Sequence, residues 1–318
     1  MSYPIRTAPG TPDAGYLPED DLRHRPAPGG RMRDSLFWQC VMPEQKIGFQ
    51  AYLYCTSEGK AGFNVAVIGE DRRPLALDLV EGELPAEADF DRLDFKGMKL
   101  VQPANAGCAH LTYESAQVRL DFDFRGLHAP FSYRQNPDGL PAWFAENRFE
   151  QTGRARGFIE FGGRRVAFDR IAHRDHSWGM REWTVPQHWK WLVAYTPDAS
   201  RIVNLWIWIA YGEWGFGGYV VRDGVLTPIA FAKQKTDFDA YMIQRRFEGV
   251  ITDVDGGTLT LELERFGFVR LPAGGRHATL IVEAACQARI DGRAGAGQFE
   301  TQWPQAYLDR LKELRAAP

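Results

Sequence analysis

Residues 173–183, HRDHSWGMREW, place two histidines, two arginines, an aspartate, a glutamate, a serine and two tryptophans in eleven positions. Such a set could serve acid–base catalysis, metal binding or a buried ion-pair network. If residues 172–178 continue a strand, alternate side chains share a face. His173, Asp175 and Ser177 then point one way, and Arg174, His176 and Trp178 the other. The first face offers a His–Asp pair, in which a carboxylate orients an imidazole or raises its pKa. The second offers hydrogen-bond donors beside an aromatic wall. Imidazole titrates near working pH, so His176 is the expected general acid or base. Asp175 is its expected orienter or a second acid, His173 an additional titratable group, and Arg174 or Arg181 an electrostatic clamp.

Other chemistries fit this spacing poorly. His173, Asp175, His176 and His188 are ligand types, yet they match no zinc signature such as H-E-x-x-H, and adjacent strand residues diverge. No metal is expected, with a site through His173 and His176 as the remaining alternative. Ser177 lies outside any G-x-S-x-G elbow. The stretch RAGAGQF (293–299) lacks the spacing and context of a dinucleotide loop, so no organic cofactor is expected either. The same Arg–Asp–His cluster can also be a satisfied structural network, with Arg174 or Arg181 forked onto Asp175 or Glu150.

The elements that must position these residues read as strands. KIGFQAYLYCT, AGFNVAVIG, MKLVQP, CAHLTYES and AQVRLDFDFRG alternate polar and apolar residues with the period of two of half-buried strands. Further on, Gly162-Gly163, Asp223-Gly224 and Asp255-Gly256-Gly257 punctuate hairpins, and HATLIVEAACQARI adds another strand or strand pair. Helical pattern is confined to PQAYLDRLKELRAA (304–317), with Tyr307, Leu308, Leu311 and Leu314 at helix spacing, and more weakly to DFDAYMIQRR (237–246). Many short antiparallel strands with tight turns imply closed barrels. We expect an all-β chain of two tandem antiparallel barrels with a C-terminal helix. The Pro- and Gly-rich loop 135–143 suggests an extended arm over 1–30, a first barrel over 31–146 and a second over 147–318.

Aromatic residues make up 13% of the chain, ten of them tryptophans, enough to line a pocket as well as a core. Trp189 and Trp191 alternate on one predicted strand, with Tyr195 on the same face, and Trp206 and Trp208 alternate on the next. With Trp178 they form the expected wall of an apolar cavity. Asp121 and Asp123 alternate opposite phenylalanines and read as a solvated face. With 38 basic against 41 acidic residues and no polybasic run, nothing points to nucleic acid or an anionic membrane. Cys40, Cys55, Cys108 and Cys286 are spaced as free thiols. The longest apolar run, residues 202–211, is too short to span a bilayer, and the N-terminus has no apolar signal core. A cytoplasmic protein is expected.

With strands and motif in place, NRFEQTGRARGFIEFGGRRVAFDRIAHRDHSWGMREW (147–183) resembles the two-domain lipocalin-like superfamily of hydroxyneurosporene synthases (carotenoid 1,2-hydratases) and AttH-like proteins. It is most similar to a bacterial branch with an Arg-Asp-His-Ser-Trp-Gly-x-Arg motif. Glu150, Gln151, Gly157, Arg174, Asp175, His176, Ser177, Trp178, Gly179 and Arg181 carry the match, and His173 stands where that branch often has glycine. The resemblance implies paired calycin-type barrels, an apolar ligand site in one barrel or at their junction, and no organic cofactor. We therefore expect acid–base chemistry (hydration–dehydration, isomerisation or cyclisation) on a terpenoid, steroid or polyketide-like molecule. A non-catalytic carrier or sensor on the same fold is the rival.

Overall fold

The computed structural model describes residues 3–27, 29–70, 73–105, 107–275 and 278–316. Met1, Ser2 and Pro28 of the expected arm, His277 of an expected strand and Ala317 of the expected helix lie outside them. In chain order the strands are β1 (Arg6–Thr7), β2 (Arg33–Met42), β3 (Ile47–Thr56), β4 (Lys60–Ile68), β5 (Ala76–Glu83), β6 (Arg92–Phe95) and β7 (Met98–Val101). Then come β8 (Cys108–Glu114), β9 (Val118–Gly126), β10 (Phe131–Ser132), β11 (Asn147–Phe161), β12 (Arg164–Gly179), β13 (Pro186–Tyr195) and β14 (Arg201–Ala210). The chain ends with β15 (Glu213–Arg222), β16 (Val225–Phe238), β17 (Gln244–Asp253), β18 (Thr258–Ala273), β19 (Thr279–Ile290), β20 (Arg293–Pro304) and the helix α1 (Gln305–Ala316).

Two curled antiparallel sheets result, as the alternating pattern and the Gly hairpins imply. The first runs β5-β4-β3-β2-β12-β11-β9-β8-β7-β6, with β10 beside β11. The second runs β16-β15-β14-β13-β20-β19-β18-β17 and closes through β16–β17 into an eight-stranded barrel. Each sheet encloses its own core. Leu36, Trp38, Phe49 and Phe122 fill the first, and Leu205, Phe247, Leu263 and Phe299 fill the second. A third core lies between the outer faces of the two sheets and includes Phe37, Val41, Tyr133, Phe144, Trp189, Trp191 and Trp206. That is why WLVAY (191–195) and IVNLWIW (202–208) read as nearly unbroken apolar runs: their strands are buried on both faces.

Three expectations change. The division at 146/147 runs through the first sheet, because β11 pairs with β9 and β12 with β2. The chain passes between sheets at 180–185, and the Pro- and Gly-rich loop 135–143 only links β10 to β11. Residues 237–246 form no helix; they end β16, turn and begin β17, with Asp239 accepting from the amides of Tyr241 and Ile243. Helix α1 is in place, but it buries chiefly Leu308, with Tyr307 stacked on Trp303 and Leu314 left exposed.

The arm is ordered against both sheets. β1 adds in parallel to β16, and a short 3-10 turn at Pro18–Asp21 packs against the first sheet. Arg174 holds this turn through Asp21 at 2.9 Å.

Candidate active site

Strand β12 carries the motif to its last residue, and the alternation holds along it. Gly179 ends it with φ 120°, where a Cβ would lie 2.2 Å from the Glu146 amide nitrogen; only glycine permits this exit. Asp175 and Ser177 face the second barrel and line a cavity of about 550 Å³ between the two sheets. Phe37, Tyr52, Phe144 and Arg148 share the first wall, and Trp189, Trp191, Trp206, Ile281, Glu283 and Glu300 form the opposite one. The tryptophans therefore point outward from their own barrel into the junction. Trp208 packs beside Trp206 (4.3 Å) over Gly215, behind that wall.

Arg174, His176 and Trp178 face the other way, under the arm. The Nε2–H of His176 donates to Asp34 at 2.6 Å, and Trp178 stacks on His24 at 3.6 Å. Arg174 donates to Gln151 and Gln102 besides pairing with Asp21. Burial opposes ionisation of Asp34, but His176 and His24 beside it outweigh that and hold its carboxyl below the usual range. His176, expected to carry the chemistry, thus lies on the side of β12 away from the main cavity. Removing it leaves Asp34 buried beside the partly exposed His24 alone. His176→Ala is expected to lower the melting temperature by several degrees, because an uncompensated buried charge costs about 3–5 kcal/mol. A melting curve superimposable on the wild type would refute this clasp role.

One oxygen or ring nitrogen each from His24, Asp34 and His176 lies within 4.8 Å of the others. Donor atoms around a tetrahedral metal with bonds of about 2.0–2.1 Å stand roughly 3.3 Å apart. The 2.6 Å His176–Asp34 contact is well inside that spacing, so this group is arranged as a hydrogen-bonded clasp. His188, the remaining histidine of the metal alternative, donates its Nδ1–H to Gln302 O at 2.6 Å and stacks on Trp303.

The carboxylates on the cavity side are differentiated by their donors. Glu150, paired with Asp175 across β11–β12, is fully buried. It accepts from Arg148 Nε (2.5 Å), Tyr133 OH (2.6 Å), His173 Nε2 (2.6 Å), Trp191 Nε1 (3.2 Å) and Asn204 Nδ2 (3.3 Å). Burial alone would raise its pKa, but Arg148 and these donors hold it below the usual value. His173 sits behind the cavity wall, accepting from the Thr152 hydroxyl at Nδ1, and burial lowers its pKa.

Asp175 shares the same guanidinium with only one contact, Arg148 Nη2 at 2.8 Å. Its other oxygen has no protein partner among the described residues. One cation cannot fully ionise two buried carboxyls, and Glu150 has the donors. Burial, reinforced by the Glu150 charge, pushes Asp175 up to about 8. Across the cavity, burial and the facing Glu300 raise Glu283 well above the ordinary carboxylate value. Gln298 donates to Glu283 (2.7 Å) and to Gln50 of the first sheet (3.0 Å), tying the two walls together.

Sequence reasoning did not single out Arg148, Glu283 or Glu300. Their signal is a charge at an inward position of an otherwise apolar strand, as Glu283 in LIVEAAC, which a solvated face would not show.

Three structures of known proteins share this fold across nearly the whole chain. A protein from Nitrosomonas europaea assigned as an AttH superimposes with a TM-score of 0.67 at 12% identity, covering 93% of this chain and 98% of that one. CghA with Sch210972 gives 0.60 at 10% identity, covering 96% of both chains. Kievitone hydratase from Nectria haematococca gives 0.56 at 12% identity, covering 95% and 98%. Such identities establish the lipocalin-like two-barrel fold and no reaction. Among curated protein sequences none matches. Residues 17–305 match a domain family of unknown function, DUF7064, which takes in both sheets from β2 to β20 and the second half of the arm without β1, and the chain belongs to that family.

Proposed function

We propose that the protein is a cofactor-independent acid–base enzyme that acts on an apolar small molecule held between the two barrels, with Asp175 as its proton donor. The observation that carries this reading is the placement of Asp175: a buried carboxyl, kept from ionising, with one oxygen open to a cavity walled by indoles. In a hydration, the Asp175 O–H bond breaks and its proton forms a C–H bond at one alkene carbon. The cation left at the neighbouring carbon faces the π-surfaces of Trp191 and Trp206. Water adds there, and its proton returns to the Asp175 carboxylate. The same donor serves dehydration in reverse, or isomerisation when a neighbouring C–H proton is lost instead of water being added. Arg148 fixes the carboxyl, Glu150 fixes Arg148, and His173 holds Glu150. A terpenoid, steroid or polyketide skeleton suits the wall, and the hydratase among the fold neighbours agrees with this class of chemistry.

The test is a panel of unsaturated terpenoid, steroid and polyketide-like compounds. Binding is followed by tryptophan emission and conversion by the gain or loss of one water in the product mass. We expect quenching by at least one class, conversion of that compound by wild type, and binding without conversion by Asp175→Asn. Treatment with a chelator is expected to change neither binding nor conversion. Binding without conversion by wild type would favour a carrier. Loss of conversion on chelation, restored by a divalent metal, would contradict the acid–base reading.

A further inference from the structure

We propose that Arg33 and Arg181 form an anion clamp in the junction cavity, so that the ligand is an apolar molecule carrying a carboxylate. This rests on the cavity being the ligand site and names the class of molecule that fills it. In the β2–β12 register Arg33 lies opposite Gly179, so both arginines enter the cavity at the same end of one strand pair. Neither has a carboxylate within ion-pairing distance among the described residues. Their partners are neutral instead. Arg33 donates through Nε and Nη2 to the Tyr52 hydroxyl (3.1 and 3.0 Å), and Arg181 donates to Phe144 O (3.2 Å) and Ser177 Oγ (3.0 Å).

Both guanidinium faces are covered. Arg33 lies 3.8 Å from the Tyr54 ring centre, and Arg181 lies 4.1 Å from that of Phe144. With Nε and Nη2 of each guanidinium engaged in the plane, stacking leaves the Nη1 side as the free edge, which suits a carboxylate oxygen. The Tyr52 oxygen already accepts from the Arg33 fork, and its own proton has no protein acceptor among the described residues. Tyr52 therefore stands ready as a neutral donor to the same anion.

Two unpaired cations held together in a half-dry cavity are an unfavourable arrangement unless something answers them. Burial, with Arg148 and Arg33 nearby, lowers Arg181 to about 10. A bound carboxylate would remove that repulsion, while the indole wall takes the apolar body. Asp175 sits two residues along β12 from Ser177, the hydroxyl that Arg181 holds, so an anchored acid group would leave its carbon skeleton beside the proton donor.

The probe pair is 1-pyrenebutyric acid and its methyl ester, which share one apolar body and differ in the charge. Binding is read as quenching of tryptophan emission by wild type, Arg33→Gln, Arg181→Gln, Arg33→Lys and Arg181→Lys. We expect the acid to bind wild type at least about tenfold more tightly than the ester, since a desolvated charge pair contributes well over one decade in affinity. Each glutamine variant should lose most of that preference while its ester affinity stays within about twofold, which also shows that its cavity is intact. The lysine variants should retain part of the preference. Equal affinity of acid and ester for wild type would overturn the clamp and leave the cavity reading standing. Failure of both to quench any cavity tryptophan would overturn the two together. A preference for the acid left unchanged by all four substitutions would also sink the clamp.

Discussion

Replacing Asp175 by Asn is expected to lower turnover by about 10²- to 10⁴-fold while leaving a folded protein, as loss of a general acid does. Arg148 can still donate to the amide oxygen, so the contact that holds the side chain survives. The effect on stability has an unusual sign. The folded carboxyl is pushed up to about 8, above its ordinary unfolded value of about 3.9. The unfolded chain therefore releases a proton that the folded chain keeps, and Asp175 detracts from stability increasingly as pH rises between those values. Above the folded value the penalty levels off. The variant has no such dependence, so its melting temperature should gain on wild type from pH 5 to pH 8. In wild type, turnover should fall as pH climbs through about 8, when the proton donor is lost. A variant several degrees less stable than wild type at pH 7 would show Asp175 to be an ionised partner of Arg148.

Glu150→Gln should produce the largest loss of stability. Five donors converge on this carboxylate, and no part of it reaches solvent. Removing its charge breaks the buried pair with Arg148 and weakens the hydrogen bonds that converge on it, at a cost of about 3–5 kcal/mol, read as a lowered denaturant midpoint at pH 7. Here the folded pKa is depressed, so the stabilisation is complete above the unfolded value of about 4.3 and fades as pH falls through the lower folded value. The gap between wild type and variant should narrow on acidification. Any variant that folds should also shift its proton donor, because Asp175 would then inherit the Arg148 charge and ionise at lower pH. Its rate profile should move to the acid side of the wild-type profile. A variant with unchanged stability and an unchanged profile would separate Glu150 from the site altogether.

The alternation of HRDHSWG was legible because a strand has a fixed period, and both faces of β12 carry the residues that the period assigns them. Which face meets the cavity was not legible. That depends on the second barrel docking against β2, β3 and β12 from one side while the arm covers the other, and both are non-local choices. The proton donor we propose is therefore Asp175, expected as an orienter or second acid, in place of the neighbouring His176, which faces the arm. Two strands were assigned to the wrong barrel for a related reason. A Pro- and Gly-rich loop marks a turn wherever it falls, and nothing local distinguishes a link within a sheet from a link between two. Of the tryptophans expected to share a wall, Trp189, Trp191 and Trp206 line the cavity, whereas Trp178 lies under the arm and Trp208 behind the wall, because which face is covered depends on the partner sheet. Arg33 escaped notice because it sits at the first position of a strand, where an arginine usually faces water.

The most direct test of the account is the ionisation state of Asp175 in the ligand-free protein, followed by infrared difference spectroscopy of the carboxyl groups with Asp175→Asn as the reference. The account predicts a protonated carboxyl at pH 7 that titrates near 8 and disappears in the variant. An Asp175 already ionised at pH 5, with its midpoint at or below that of an ordinary aspartate, would contradict the account.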